Sequence, residues 1–242
     1  MRHIGIIFKR ELAAYFNNPL AYVLIVLFSI SATGMTFVFG GFLQQNDASL
    51  TSFFLFHPWV YLIFGPAIGM RLWSDEHRMG TTELLLTMPI SPWHAIVGKF
   101  LAACVVIAAA LLSTLPIVFT VYHLGSPDGA MIASGYLGSF LIGSAIIAIT
   151  CAISAITRSQ ISCLVMSVIL CFFLILAGFP SVTDFLRPSL PWLADMGNAI
   201  SFWWHQNEMA RGLVRIQSLV YLISLIVFSL YLTSVIIRSK RA

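Results

Sequence analysis

The chain has 242 residues, of which 59% are hydrophobic and only 9% charged, and its formal net charge is +4. A soluble domain carries about 25% charged residues because its surface faces water, so this composition excludes a water-soluble globular fold. No polar linker or low-complexity tract divides it, and residues 1–242 read as a single membrane domain.

Residues 1–18 contain the first predicted element, a helix lying on the membrane surface. Ile4, Ile7, Phe8, Leu12, Tyr15 and Phe16 recur at helical spacing, while Arg2, Lys9 and Arg10 are placed to reach lipid phosphates. The other reading is a charged flank that only orients the first span. Asn17-Asn18-Pro19 breaks this helix before the apolar spans begin.

From there the few charges act as boundaries. Uncharged stretches run from Glu11 to Asp47, Asp47 to Arg71, Lys99 to Asp128, Asp128 to Arg158, Arg158 to Asp184 and Arg215 to Arg238. Each exceeds the roughly 20 residues a helix needs to cross hydrocarbon. Strand-like alternation is missing, as in the continuously apolar run Val105 to Leu112. The sequence therefore predicts an all-α integral membrane protein with six transmembrane helices near 20–43, 53–73, 95–122, 132–156, 161–179 and 216–237. With the N-terminus inside, Arg2, Lys9, Arg10, Arg71, Arg78, Lys99, Arg158, Arg238, Lys240 and Arg241 are cytoplasmic, and only Arg187, Arg211 and Arg215 lie outside. That asymmetry fits positive-inside insertion with both termini in the cytoplasm. It also assigns the positive charge to the inner leaflet rather than to a nucleic acid.

Between spans two and three lies the stretch 74–94, where Asp75, Glu76, Arg78 and Glu83 precede Leu84, Leu85 and Leu86, and Pro89 stops any helix. Ser91-Pro92 suits the start of the next helix. By pattern alone this segment is either an amphipathic docking helix or a solvated loop. Thr157-Arg158-Ser159-Gln160 is a polar turn that offers at most a smaller contact. Outside, residues 180–215 form the longest loop, with short helices expected near 190–200 and 202–212 and Trp192, Trp203 and Trp204 at interfacial depth.

Several chemistries lack their residues. Gly98-Lys99-Phe100 resembles the end of a nucleotide-binding loop, but Phe100 stands where Ser or Thr would hold magnesium and Trp93 where glycine is needed. The span interiors offer hydroxyls such as Thr36, Ser113, Ser144, Thr150, Ser154 and Ser167 instead of deeply placed protonatable groups, which argues against ion-coupled transport. Gly65 and Gly69 form a small-xxx-small packing pair. Cys104, Cys151, Cys163 and Cys171 fall in apolar spans and read as small buried hydrophobes. A haem or copper site among His57, His123 and His205 is a minor alternative. No catalytic, cofactor or metal residue is assigned.

The chain resembles the membrane subunits of type 2 ABC exporters, especially the gliding-motility-associated permease group. The likeness rests on Lys9-Arg10-Glu11-Leu12 with Tyr15 to Tyr22, and on Glu76-His77-Arg78-Met79-Gly80-Thr81-Thr82-Glu83-Leu84-Leu85-Leu86-Thr87 with Pro89 and Gly98-Lys99 after it. Thr157 to Ile161 and Ala210-Arg211-Gly212-Leu213-Val214 add to it. His77 and Met79 depart from a more polar or basic run. The resemblance implies that 74–94 is a coupling helix seated in a cytoplasmic ABC ATPase, with Glu76, Arg78, Gly80, Thr81, Glu83 and Arg158 as coupling residues. It implies that Lys9, Arg10 and Glu11 on the surface helix help to hold that ATPase. ATP and magnesium would bind the ATPase, not this chain. A second permease chain, identical or a paralogue, would complete the assembly in a bacterial inner membrane, and an accessory membrane protein with an extracytoplasmic domain is a further implied partner. A path lined by the span hydroxyls would open between the two permeases. The alternatives are a non-transporting scaffold or assembly factor, and an ABC permease for cofactor or copper-site maturation.

Overall fold

The computed structural model describes residues 2–41, 49–80 and 91–239, with only the backbone of Arg2. The described residues form helices and no strand. In chain order they are α1 (Arg2–Phe16), α2 (Pro19–Val38), α3 (Thr51–Gly69), α4 (Arg71–Met79), α5 (Pro92–Ser113), α6 (Leu115–Leu124), α7 (Gly129–Ile156), α8 (Gln160–Leu176), α9 (Pro180–Leu186), α10 (Pro191–Ile200), α11 (Phe202–Ala210) and α12 (Ile216–Ser239).

Local chemistry sets several of these boundaries. The Asn18 side chain accepts the Leu20 N–H at 3.0 Å, and Pro19 begins α2 with its φ already helical. Asp128 caps α7 in the same way, accepting from Ala130 N at 2.8 Å. Gly80 ends α4 at φ 69°, a left-handed conformation that glycine adopts without a Cβ clash.

Among the described residues, five helical runs are long and apolar enough to cross a membrane: Pro19–Val38, Thr51–Met79, Pro92–Leu124, Gly129–Ile156 and Ile216–Ser239. The sixth is the pair Gln160–Leu176 and Pro180–Leu186, bent by 60°. The expected architecture is therefore present, but its fifth span is broken instead of running straight through 161–179. Phe179 is extended (φ −71°, ψ 136°), as the residue before a proline prefers, and Pro180 then starts a new helix. The run Pro92–Leu124, at 33 residues, is about 50 Å long, well beyond a hydrocarbon core of about 30 Å. It is divided at Thr114, just ahead of Pro116.

Helix α7 is the central post, packing on α3, α4, α5, α8, α11 and α12. Its most apolar window is 83% buried against 22% for α2, which places α2 at the periphery. Gly65 and Gly69 face Ile146 and Thr150 of α7, so the expected small-residue pair brings α3 close within the chain. All four cysteines are free and buried, as their placement in apolar spans suggests.

Two expectations fail. Thr36, Ser144, Thr150, Ser154 and Ser167 are buried inside this chain and line no path at its surface. Thr36 and Thr150 donate to carbonyls of their own helices, the cheapest partner for a hydroxyl in an apolar helix. Only Ser113 is exposed, and it meets Ser29 of α2 at 2.5 Å. The interiors also hold ionisable groups: His57 in α3 is fully buried and Lys99 in α5 is 3% exposed. Each is accommodated by tertiary partners. Nδ1 of His57 lies 2.6 Å from the Ser139 hydroxyl, which also accepts from Gln206 of α11 at 3.0 Å. Lys99 is held by groups on α1 and α4.

Candidate functional site

The end of the bundle that carries α1 and α4 is built around a helix joint. Helix α3 stops at Gly69 and α4 begins at Arg71, so the first N–H groups of α4 have no carbonyl within their own helix. Ser154 of α7 replaces those partners. Its hydroxyl accepts from Trp73 N at 2.9 Å and Ser74 N at 3.0 Å and donates to Met70 O at 3.1 Å. One donor and two acceptor positions are thus all used. The joint is pinned to the central post instead of being left loose.

Helix α1 reaches this joint along α5. Ile7 is buried, and a Cβ on Gly98 would meet the Ile7 side chain at 3.0 Å and the Ile4 carbonyl at 3.3 Å. A larger residue at 98 would push α1 away. The apolar face of α1 therefore packs on protein, where the sequence alone suggests a helix resting on lipid. Tyr15 closes the far end of this contact by donating to Ile68 O at 2.9 Å. Burial, and then the nearby Glu11 carboxylate, push the Tyr15 phenol up from its ordinary pKa, so it stays a neutral donor.

Lys99 joins the three helices. Its Nζ donates to Leu72 O of α4 at 2.8 Å and pairs with Glu76 of α4 at 2.9 Å and Glu11 of α1 at 3.5 Å. The ammonium also lies 5.2 Å from the centre of the Trp73 ring. Three acceptors match its three donors. A charge so buried persists only when paired and hydrogen-bonded. Arg10 completes the balance, contacting Glu11 at 2.6 Å and Glu76 at 4.0 Å. Two cations and two carboxylates gather where α1, α4 and α5 meet.

The other face of α4 is tied down as well. Arg71 pairs with Asp75 at 3.4 Å, and Gln160 at the start of α8 donates to the same carboxylate. His77 Nε2 is 3.0 Å from Ala155 O. Helix α4 is thus connected to α1, α5, α7 and α8. At its C-terminal end Arg78, Met79 and Gly80 are exposed, as are Lys9 on α1 and Arg158 after α7.

Of the residues assigned from sequence, Arg10, Glu11 and Glu76 come together in the charged node. Lys9, Arg78, Gly80 and Arg158 stand on the surface near its helices without joining it. Thr81, Glu83 and the rest of the coupling segment through 90 lie outside the described residues. Lys99, in the sequence a cytoplasmic charge and part of the Gly98-Lys99 likeness but not an assigned site residue, is the centre of the node. Its signal is a lone cation seven residues inside an apolar helix.

At the opposite end, α9, α10 and α11 form a cap. Trp203 packs on Trp59 and Phe179, with ring centres 6.3 and 5.1 Å away. His205 stacks on Tyr221 at 4.7 Å and contacts Ala199 O at 3.0 Å and Ser218 Oγ at 2.9 Å. Ser218 donates to Glu208, which pairs with Arg215 at 2.9 Å. Burial lowers the His205 pKa against the opposing pull of the Ala199 carbonyl and the Glu208 carboxylate, so the ring is neutral near pH 7. Among the described residues, no group of three or more His, Cys, Asp or Glu side chains is placed to hold a metal ion.

Comparison with known proteins agrees with this architecture. No curated protein matches the chain. The family model described as ABC-2 family transporter protein matches residues 6–238, from within α1 almost to the end of α12. A multi-pass helical bundle matched over nearly its full length in this way belongs to the ABC-2 family of transporter membrane proteins: the chain is a permease of that family.

Proposed function

We propose that this permease is the membrane half of an ATP-driven exporter of the gliding-motility-associated kind, worked through α4 by a separate ATPase in the cytoplasm. The observation that carries this reading is the Lys99 node. A helix that only connected two spans would need no buried cation bonded to its backbone and to acids on two helices. A lever that must deliver force to the bundle does need such a link. In this reading both termini face the cytoplasm of a bacterial inner membrane, and the ATPase seats against Arg78, Gly80, Thr81 and Glu83, with Lys9 and Arg158 at its rim. ATP and magnesium are held by the ATPase, and a second permease chain, identical or a paralogue, completes the assembly.

The burial of the span hydroxyls supports a path between chains over one through a single chain. The apolar outer faces of α2 and α12 then suit an amphiphile better than a free ion. Mechanical action on an accessory protein with an extracytoplasmic domain uses the same lever. The test is co-purification from mild detergent of the tagged chain, wild type against Glu83→Arg and Arg78→Glu. The reading expects an ATPase with the wild type and much less with either variant. Equal recovery from all three overturns the docking site. Recovery from none, while the chain stays folded, favours a scaffold without ATP dependence.

A further inference from the structure

Beside the node, α1, α5 and α7 leave an open apolar groove of about 420 Å³, lined by Ile4, Gly5, Phe8, Leu101, Cys104, Val105, Ala108 and Phe140. From Leu101 to Ala108 it runs along α5 for about 10 Å, on a helix that crosses the membrane. Its walls are kept low by small residues. Gly5 lies in the first turn of α1, and a Cβ there would meet nothing within 4 Å. Packing against this protein therefore does not require glycine at position 5, but an occupant of the groove would.

The charge beside the groove points to the occupant. Lys9 lies one helical turn from Gly5 on α1 and is exposed. Arg10 is engaged by Glu11 and Glu76, whereas Lys9 makes no ion pair among the described residues. An apolar trough along a membrane-crossing helix, with an exposed ammonium on a long flexible stem one helical turn from Gly5, matches an acyl chain joined to a phosphate.

We propose that this groove is a discrete site for an anionic phospholipid, one acyl chain lying along α5 and the headgroup phosphate meeting Lys9. A lipid there would stiffen the seat of α1 against α5, next to the node. The site shares Lys9 with the rim of the proposed ATPase seat, but its failure would leave that reading intact, because docking is tested at Glu83 and Arg78.

Native mass spectrometry of the full chain tests it, with phosphatidylglycerol or phosphatidylcholine of identical chains added in mild detergent. Wild type should retain phosphatidylglycerol about fivefold more tightly, the ratio that corresponds to about 1 kcal/mol from one cation near the phosphate. Lys9→Gln should bring that ratio close to one. Gly5→Leu should lose both lipids while melting no lower than wild type, since leucine favours the helix and meets open space. Equal retention of the two lipids by wild type overturns the proposal, as does wild-type lipid binding by Gly5→Leu. Loss of a chain dimer in Gly5→Leu with lipid binding unchanged assigns the groove to a second copy, and also overturns it.

Discussion

Lys99 and Ser154 carry the arrangement at the residue scale, and both do so by completing backbone groups. The ammonium bonds to the Leu72 carbonyl while balancing Glu76 and Glu11, so replacing it leaves two partly buried carboxylates with only the exposed Arg10 as a cation. Removing one member of a buried ion pair costs about 3–5 kcal/mol. Lys99→Met should fall near the lower end, because Glu11 and Glu76 are not fully enclosed, and a double-mutant cycle with Glu76→Gln should recover part of the loss. Strictly additive melting shifts would contradict the pairing. At Gly80 the left-handed φ of 69° orders the substitutions. Gly80→Asn should be nearly neutral, Gly80→Ala should cost about 1 kcal/mol, and Gly80→Val more, since a β-branched side chain crowds that conformation most. Coupled ATPase activity should fall in the same order, and an order set by side-chain size alone would speak against a conformational role.

At the scale of elements, the spans are legible in the sequence because charge is so scarce: every uncharged stretch longer than about 20 residues contains, among the described residues, a membrane-length helical run or a bent pair of helices. Helix α1 is legible too, from apolar residues spaced three and four apart. Its resting place is not. Only the close approach of Ile7 to Gly98, 91 residues apart in sequence, shows that the face packs on α5. The burial of the hydroxyls is equally hidden, since a helix apolar on all sides, such as α7, carries no periodic signal to say which side faces inward. The role of Lys99 is hidden for a related reason: its partners, Glu11 and Glu76, lie on other elements, and no spacing rule links them.

Contacts between elements lead to two predictions at this scale. Gly98→Leu should lift α1 from α5, and hydrogen exchange over residues 3–16 should rise while α7 stays protected; unchanged exchange would mean that α1 is held by other means. In the distal cap, His205 is neutral with a pKa below its ordinary value. The unfolded chain then binds the extra proton first as pH falls, so this contribution is complete above about pH 6.5 and declines below it. Exchange over Phe202–Ala210, corrected for intrinsic rate, should increase between pH 7 and pH 5, and His205→Phe should flatten that dependence. A dependence of the same size in the variant would assign it to another group.

On the scale of the whole molecule, a post, a joint and a cap form one connected path. Helix α4 is pinned to α7 through Ser154, α7 meets α11 where Ser139 accepts from Gln206, and α11 holds α12 through His205 and Ser218. Force applied at α4 has a continuous route of buried contacts to the far end, and the central claim is that the Lys99 node admits it. The direct measurement is the distance between spin labels on Arg78→Cys, in α4, and Phe185→Cys, in α9, in the complete complex with and without trapped ATP. All four native cysteines are buried, which directs labelling to the two introduced thiols. The account predicts a distance change on ATP binding in the otherwise wild-type chain, and its loss in Lys99→Met even though the ATPase still co-purifies and hydrolyses ATP. The same change in both chains would show that the node is structural only, and that the bundle is driven by another route.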